Sequence, residues 1–106
     1  MSAVISNEIE ARRAQINAIC ARFDVRRLEL FGSAASGKFD PARSDLDFVV
    51  EFRASERLNA FDQYFGFKEE LERLFGRSVD LVTEGAVTNQ YFLESINRSR
   101  RLLYAA

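Results

Sequence analysis

The sequence predicts a single α/β domain over residues 1–106, in which a small mixed β-sheet of three or more strands is flanked by helices. Three observations favour this class. The length of 106 residues is that of one ordinary domain. A hydrophobic content of 47%, with 12% aromatic residues, is enough to close a core. The pattern gives helix, strand, loop, strand, helix, strand and helix in turn, which is typical of one α/β layer around a small sheet.

The first half of the chain contains one helix, one strand and a loop. Residues 5–23 are predicted to be an amphipathic helix, because their apolar residues fall within about a third of its circumference. Arg12 lies inside this arc, which favours a side chain that reaches the rim, with a ligand or partner contact as the alternative. Residues 25–31 alternate as a strand does. Residues 32–44 are rich in Gly and Ser and hold the only Pro, so they predict a turn, a short helix and a loop.

The second half contains two strands and two helices. Residues 45–52, DLDFVVEF, are strongly β-prone. Residues 59–75 are predicted to be a helix that ends at Gly76, a residue suited to a left-handed C-cap. Residues 77–82 form a third short strand, and residues 88–104 a last helix.

The helix over residues 59–75 has an apolar arc that covers about half its circumference, which is wide for a helix lying on one sheet. Phe61 and Phe65 lie at one margin of the arc. Core packing is the favoured interpretation for both rings, and a partner interface is the alternative.

The composition excludes several kinds of chemistry. Without any His, the chain cannot use a Ser-His or Cys-His pair, or a His-bound zinc ion. A net charge of −1 gives no broad basic field, so we expect no direct binding of nucleic acid. The single Cys, and the lack of any signal-peptide or membrane-spanning run, predict a cytoplasmic protein that does not bind membranes. The remaining chemistry is that of carboxylates, hydroxyls, cations and bound metal.

Gly32 and Ser33 follow the first strand and open a short helical turn. Backbone N–H groups at such a turn can hold a phosphate, Gly permits close approach, and the Ser hydroxyl adds a donor. Taken alone, a Gly-Ser turn that merely reverses the chain is the more common interpretation.

Three acids point to metal chemistry. Asp45 and Asp47 lie on one face of a strand, about 7 Å apart at their Cβ atoms. The apolar neighbours indicate a buried strand, where acids need a cation such as Mg²⁺, although a solvated edge is the alternative. Asp80 lies in the apolar strand VDLV and faces the same point if the two strands are neighbours; otherwise it is a surface acid. Three acids beside a phosphate-binding turn fit two-metal phosphoryl transfer, which needs no imidazole.

The segment GSAASGKFDPARSDLDFVVEF, followed by SVDLV, resembles the signature of the DNA polymerase β-like nucleotidyltransferase superfamily. The size resembles that of its minimal nucleotidyltransferase (MNT) group, and the similarity covers residues 25–82. The resemblance implies that Gly32 and Ser33 bind the nucleotide triphosphate, and that the catalytic metal ligands, for two Mg²⁺ ions, are Asp45, Asp47 and Asp80. The resemblance further implies that Asp80 helps to activate the incoming hydroxyl, that ATP is attacked at its α-phosphorus and that pyrophosphate leaves.

The chain departs from the family pattern in the loop. Ser36 stands where minimal members often carry an Arg, and the loop before Asp45 is one residue longer. Lys38 and Arg43 are candidate nucleotide-binding cations that supply the missing charge, with ordinary loop solvation as the favoured alternative.

The short chain leaves no room for an acceptor-binding domain, so we expect another subunit or protein to complete that site. Similar minimal proteins are antitoxin partners of HEPN-domain RNase toxins. The resemblance implies a hetero-oligomer in which this chain, as a protein adenylyltransferase, transfers AMP to a tyrosine of the toxin. A non-catalytic module that neutralises its partner by occlusion, and nucleotidylation of a small molecule, are the alternatives.

Overall fold

A computed structural model of the chain describes residues 3–36 and 45–106. In these residues a four-stranded sheet has the strand order β3-β2-β1-β4. The elements are α1 (Ala3–Ala11), α2 (Arg13–Arg22), β1 (Val25–Phe31), α3 (Ser33–Ser36), β2 (Leu46–Phe52), α4 (Ala60–Phe75), β3 (Val79–Thr83), α5 (Gln90–Ser99) and β4 (Arg101–Ala105). None of these helices has the length and apolar character needed to cross a bilayer.

The sheet is mixed, as predicted. β1 runs antiparallel to both β2 and β4, whereas β2 and β3 are parallel. In this register Phe31 lies opposite Asp47, and Asp47 lies beside Asp80. The end of β1 and the starts of β2 and β3 therefore meet at one end of the sheet.

The two faces of the sheet are covered differently. The main core packs one face against α1, α2 and α4, and it includes the fully buried side chains of Leu30, Phe48 and Phe67. A smaller cluster on the other face joins Phe31 and Val49 to Ile96 of α5. Because side chains alternate along a strand, Asp47 shares the face of Val49. In the described part of the chain, α5 and Val87 pack on that face.

The predicted helix over residues 5–23 is wrong as a single element. It is interrupted at Arg12, which separates α1 from α2. The Arg12 guanidinium donates hydrogen bonds to the carbonyl oxygens of Leu74, at 3.3 Å, and Glu8, at 3.4 Å. These contacts hold the side chain against α4, so its position inside the apolar arc reflects a turn between two helices.

The predicted helix over residues 88–104 is also wrong beyond Ser99. The chain turns extended at Arg100, and residues 101–105 pair with β1 as an edge strand. Arg100 is held there by Glu29 of β1 and by Glu84, through contacts of 2.7 to 2.8 Å. The free edge of β1 offered backbone partners that a continued helix would have left unpaired.

The remaining elements are confirmed with small shifts. The helix over residues 59–75 begins one residue later, with the Asn59 side chain accepting from the Asp62 N–H at 2.7 Å. It ends at Gly76, which is left-handed with φ +64°. Core packing was the wrong choice for Phe61 and Phe65, whose exposed fractions are 68% and 50%. Their rings contact each other, with centroids 4.6 Å apart.

Candidate active site

Two of the three predicted acids meet at the end of the sheet. Asp47 and Asp80 are partners in the parallel register of β2 and β3, so their side chains leave the sheet on the same face. Asp47 is partly buried, and Asp80 is exposed. Asp45 lies just before β2 and is exposed. The carboxyl groups of Asp47 and Asp80 lie close enough to hydrogen-bond when one of them is protonated, whereas Asp45 acts on Asp47 only through its charge.

This arrangement disfavours the ionised form of Asp47. Burial is the main cause, followed by the hydrogen bond with Asp80 and by the negative charges of Asp80 and Asp45; together they raise the pKa of Asp47 to about 7. Such crowding costs free energy unless a cation compensates it. The site is built for positive charge at the expense of stability.

Gly32 fits closely against this pair. It follows β1 with φ +72°, a conformation that side chains other than Gly rarely adopt. A Cβ atom at this position would collide with the Asp47 carboxylate. The Gly32 N–H donates to the Ser99 hydroxyl at 3.0 Å, which ties β1 to α5. A glycine is therefore required here for both backbone conformation and space.

An open cavity of about 440 Å³ lies over the acids. Its base is formed by Gly32, Asp47 and Asp80. One wall comes from α4, through Tyr64 and Lys68, and another from α5. The volume lies within the range of about 300–1,000 Å³ that is common for ligand sites. The lining combines acids that can share a divalent cation with phosphates and the aromatic side chains of Phe31, Tyr64 and Phe92, against which a flat ring can pack.

Two α4 side chains in this cavity are held by nearby groups. The Tyr64 hydroxyl donates to the backbone carbonyl of Leu81 on β3. The Lys68 ammonium lies 3.5 Å from the Glu72 carboxylate. Lys68 is partly exposed, so this pair is weak and its ammonium can respond to a ligand.

A second cavity of about 390 Å³ adjoins the first. It is lined by four serines, Gly32 and Arg98. Gly32 and one of the serines, Ser95, line both cavities, so the two are neighbouring parts of one cleft. Ser33 belongs to this second part.

The donor set fits a hard divalent cation. Asp47 and Asp80 offer only oxygen atoms, which Mg²⁺ prefers. Among residues 3–36 and 45–106, no three His, Cys, Asp or Glu side chains are arranged to hold a metal ion by themselves. Mg²⁺ commonly binds through one or two carboxylates together with substrate phosphates and water. A pair of carboxylates beside a phosphate site meets that requirement.

The predicted site residues separate into three groups. Gly32, Asp47 and Asp80 line one cavity, and Ser33 lines the adjoining one. Asp45 lies just before β2, close enough for its charge to act on Asp47. Two predicted residues fall in the loop outside the described residues, namely Lys38 and Arg43.

Sequence reasoning missed the contributions of α4 and α5. Tyr64, Lys68, Ser95 and Arg98 line the cleft but belong to no motif. Only the packing of these helices on the sheet brings them to the acids. Lys68 could have been noticed as a cation next to a buried Phe on a predicted helix. The sequence does not show, however, where that helix docks on the sheet.

Comparisons with known proteins identify the family. A model of the nucleotidyltransferase domain matches residues 12–103, so the chain belongs to this family of enzymes. Two curated proteins of Methanocaldococcus jannaschii, each named "Putative protein adenylyltransferase", are 36% and 33% identical over 75 residues. These matches cover 71% of this chain and 73% and 72% of the two relatives. The predicted family and class of enzyme are confirmed.

Solved structures give the same result for the fold. A structure described as a "putative minimal nucleotidyltransferase" is 30% identical, with a TM-score of 0.73 and 95% of both chains covered. A toxin-antitoxin structure with AMP-PNP is 18% identical, with a TM-score of 0.66 over 89% of this chain and 73% of that one. A structure of a tri-AMPylated HEPN toxin of Shewanella oneidensis in complex with MNT antitoxin is 15% identical, with a TM-score of 0.63 over 92% of this chain and 73% of that one. The last two share the fold.

Proposed function

We propose that this chain is a Mg²⁺-dependent protein adenylyltransferase that transfers AMP from ATP to a tyrosine of a HEPN-type RNase toxin and acts as its antitoxin. The observation that carries the proposal is the facing pair of acids, Asp47 and Asp80, in a cavity beside Gly32. The relatives named as protein adenylyltransferases support the reaction. The neighbour that is a HEPN toxin in complex with an MNT antitoxin supports the partner, and the toxin-antitoxin structure with AMP-PNP supports the nucleotide.

In this proposal Asp47 and Asp80 would hold Mg²⁺ together with triphosphate oxygens and water, and Asp45 is our candidate for a further ligand. The ion would supply positive charge for the triphosphate. The tyrosine oxygen forms a bond to the α-phosphorus of ATP, the bond from that phosphorus to the bridging oxygen breaks, and pyrophosphate leaves. The tyrosine proton, with an ordinary pKa of about 10, must be removed. Asp80 is the exposed acid in the cavity, so it accepts this proton.

Gly32 and Ser33 bind the triphosphate in this scheme. The absence of a side chain at Gly32 allows a phosphate to approach the backbone close to the Asp47 carboxylate. Ser33 offers a hydroxyl to the adjoining cavity. Lys38 and Arg43 remain our candidates for additional positive charge.

The acceptor tyrosine comes from the partner protein, which makes the functional form a hetero-oligomer. The exposed Phe61 and Phe65 give α4 an apolar surface beside Tyr64, which lines the acid cavity. We also propose a cytoplasmic location, because the reaction consumes ATP.

The test uses the purified chain, Mg²⁺, ATP labelled at the α-phosphate and a HEPN-type RNase as the candidate partner. We expect label on the partner, a matching increase in its intact mass, and loss of its RNase activity. An unlabelled partner would sink the proposed reaction.

Asp47→Asn separates catalysis from occlusion. Because the substitution keeps the shape of the side chain, partner binding should survive while labelling and neutralisation are lost. Full neutralisation by Asp47→Asn without labelling would instead support occlusion, the alternative that the exposed aromatic surface of α4 favours.

A further inference from the structure

The second cavity has the chemistry of an anion site. Its described lining consists of hydroxyl groups, a glycine and one cation, Arg98, with no carboxylate among them. Hydroxyl groups and a guanidinium are the donors that proteins commonly use for phosphate oxygens. The acid cavity next to it has the opposite character, since Asp47 and Asp80 lie at its base.

Arg98 is available for a ligand. Its side chain is exposed on α5, and it makes no ion pair or hydrogen bond with another residue of the described ranges. The neighbouring Arg100, by contrast, is fully engaged by Glu29 and Glu84. A guanidinium already paired with a carboxylate would have to break that pair to bind phosphate. Arg98 has no such pair to break among the described residues.

The position of Arg98 relative to Gly32 is fixed by two contacts of α5. The Ser99 hydroxyl accepts from the Gly32 N–H at 3.0 Å. One residue further on, Arg100 anchors the end of α5 to Glu29 of β1. These contacts hold the backbone that carries Arg98 beside Gly32 before the ligand arrives.

We propose that Arg98 binds the β- and γ-phosphates of ATP in the second cavity and so orients the pyrophosphate leaving group. The inference rests on the proposed function, which places the α-phosphate at Asp47 and Asp80. Because the two cavities meet at Gly32 and Ser95, a triphosphate that begins at the acids extends towards Arg98. The planar guanidinium can bind two phosphate oxygens at once.

The test compares the affinities of ATP and AMP in the presence of Mg²⁺, measured by titration calorimetry on the full chain. Arg98→Gln should weaken the affinity for ATP by about 10- to 100-fold, as expected for a lost charge-assisted hydrogen bond. AMP lacks the β- and γ-phosphates, so its affinity should change by less than about twofold. Because the Arg98 side chain is exposed, the Arg98→Gln variant should unfold at the same temperature as the parent chain.

Arg73→Gln is the matched control. It removes one exposed Arg from α4, where Arg73 pairs only weakly with Glu70, and it changes the net charge by the same amount. Both nucleotides should bind this variant normally. If Arg73→Gln weakened ATP as much as Arg98→Gln does, the effect would be one of net charge, and the assignment of Arg98 would be wrong.

Two further outcomes would overturn the inference: an unchanged ATP affinity in Arg98→Gln, or equal losses for ATP and AMP. The proposed function fails separately. A selective loss of ATP binding in Arg98→Gln, together with a parent chain that never labels the partner, would support the role of Arg98 and contradict the proposed acceptor. A parent chain that binds neither nucleotide would overturn both.

Discussion

The contact between Gly32 and the Asp47 carboxylate couples backbone conformation to the placement of a charged group. The left-handed backbone of Gly32 turns the chain at the end of β1, and its missing side chain leaves the space that the carboxylate fills. Any other residue would disturb both features. Two independent requirements therefore demand a glycine at this position: the positive φ of the backbone and the lack of space for a Cβ atom.

Gly32→Ala should destabilise the fold and displace Asp47. The positive φ alone costs about 1–2 kcal/mol with a Cβ atom present. Gly85→Ala is the control, because Gly85 also has a positive φ, +85°, but nothing lies within 4 Å of its added Cβ. Both variants should lose stability in urea unfolding, Gly32→Ala more than Gly85→Ala because its Cβ also meets the Asp47 carboxylate, and only Gly32→Ala should lose nucleotide transfer. Equal activity in the two variants would show that the carboxylate moves aside without consequence.

Asp47→Asn should stabilise the fold and abolish transfer. The pKa of Asp47 is raised in the folded protein, so at pH values above its ordinary 3.8 its ionisation opposes folding. An amide of the same shape removes that penalty, and solvent screening limits the gain to about 1 kcal/mol. Thermal unfolding at pH 7.5 measures the gain, and a labelling assay measures the loss. A destabilised variant would contradict the electrostatic account.

The junction between α5 and β4 depends on one buried ion pair. Arg100 donates to both oxygens of Glu29, whose side chain is only 6% exposed. Arg27 also donates to Glu29, at 2.8 Å. The pair fixes where the helix stops and the strand begins, and through α5 it positions the wall of the cleft.

Arg100→Met should cost about 3 kcal/mol, at the lower end for a buried charge that loses its partner, because Arg27 remains. Glu29→Leu combined with Arg100→Met should cost less than Arg100→Met alone, since no buried charge is left unpaired. Free energies of unfolding in urea give both values. A double variant less stable than the single one would show that the pair itself, and not the avoided penalty, stabilises the junction.

The same pair predicts how stability depends on pH. Hydrogen bonds from Arg100, and then from Arg27, hold the pKa of Glu29 below its ordinary value of 4.5. Because the folded pKa is the lower one, the contribution is complete above about pH 4.5 and is lost as pH falls through the folded pKa. Unfolding measured between pH 7 and pH 3 should be less sensitive to acid in Glu29→Gln than in the parent chain. Parallel curves would contradict this assignment.

The elements that the sequence predicted best are those with local causes. Asn59 and Gly76 mark the ends of α4 because caps depend on neighbouring backbone groups alone. The two failures have distant causes. The break at Arg12 depends on Leu74, and β4 depends on the open edge of β1 and on Glu29. Tertiary contacts of this kind override a helical pattern.

The aromatic residues of α4 divide between the core and the surface of the folded protein. Phe67 is fully buried, whereas Phe65 is half exposed. Phe67→Ala should cost about 3–5 kcal/mol and Phe65→Ala less than about 0.5 kcal/mol. Urea unfolding of the two variants is a matched comparison, because both remove a benzyl group from the same helix. A large loss of unfolding free energy in Phe65→Ala would show that the Phe65 ring packs in the core and not at the surface.

The candidate site was predictable as far as it follows the strands. The acids and the Gly-Ser turn are given by strand ends and by spacing, and the register of β2 with β3 brings Asp47 to Asp80. Tyr64, Lys68 and Arg98 were not predictable, because their contribution depends on how α4 and α5 dock on the sheet. Helix docking is a property of the packed molecule and not of any local pattern.

The strand order has a kinetic consequence. β1 pairs on one side with β2, which follows it closely in the sequence. Its other edge pairs with β4 at the far end of the described chain, where Arg27 lies opposite Ala105. Contacts between such distant residues form late, because a long loop must close first. During synthesis the second edge of β1 is open to strands of other chains. A β4 strand donated by a second copy would fit the same edge, so crowded expression should favour strand-exchanged dimers over monomers.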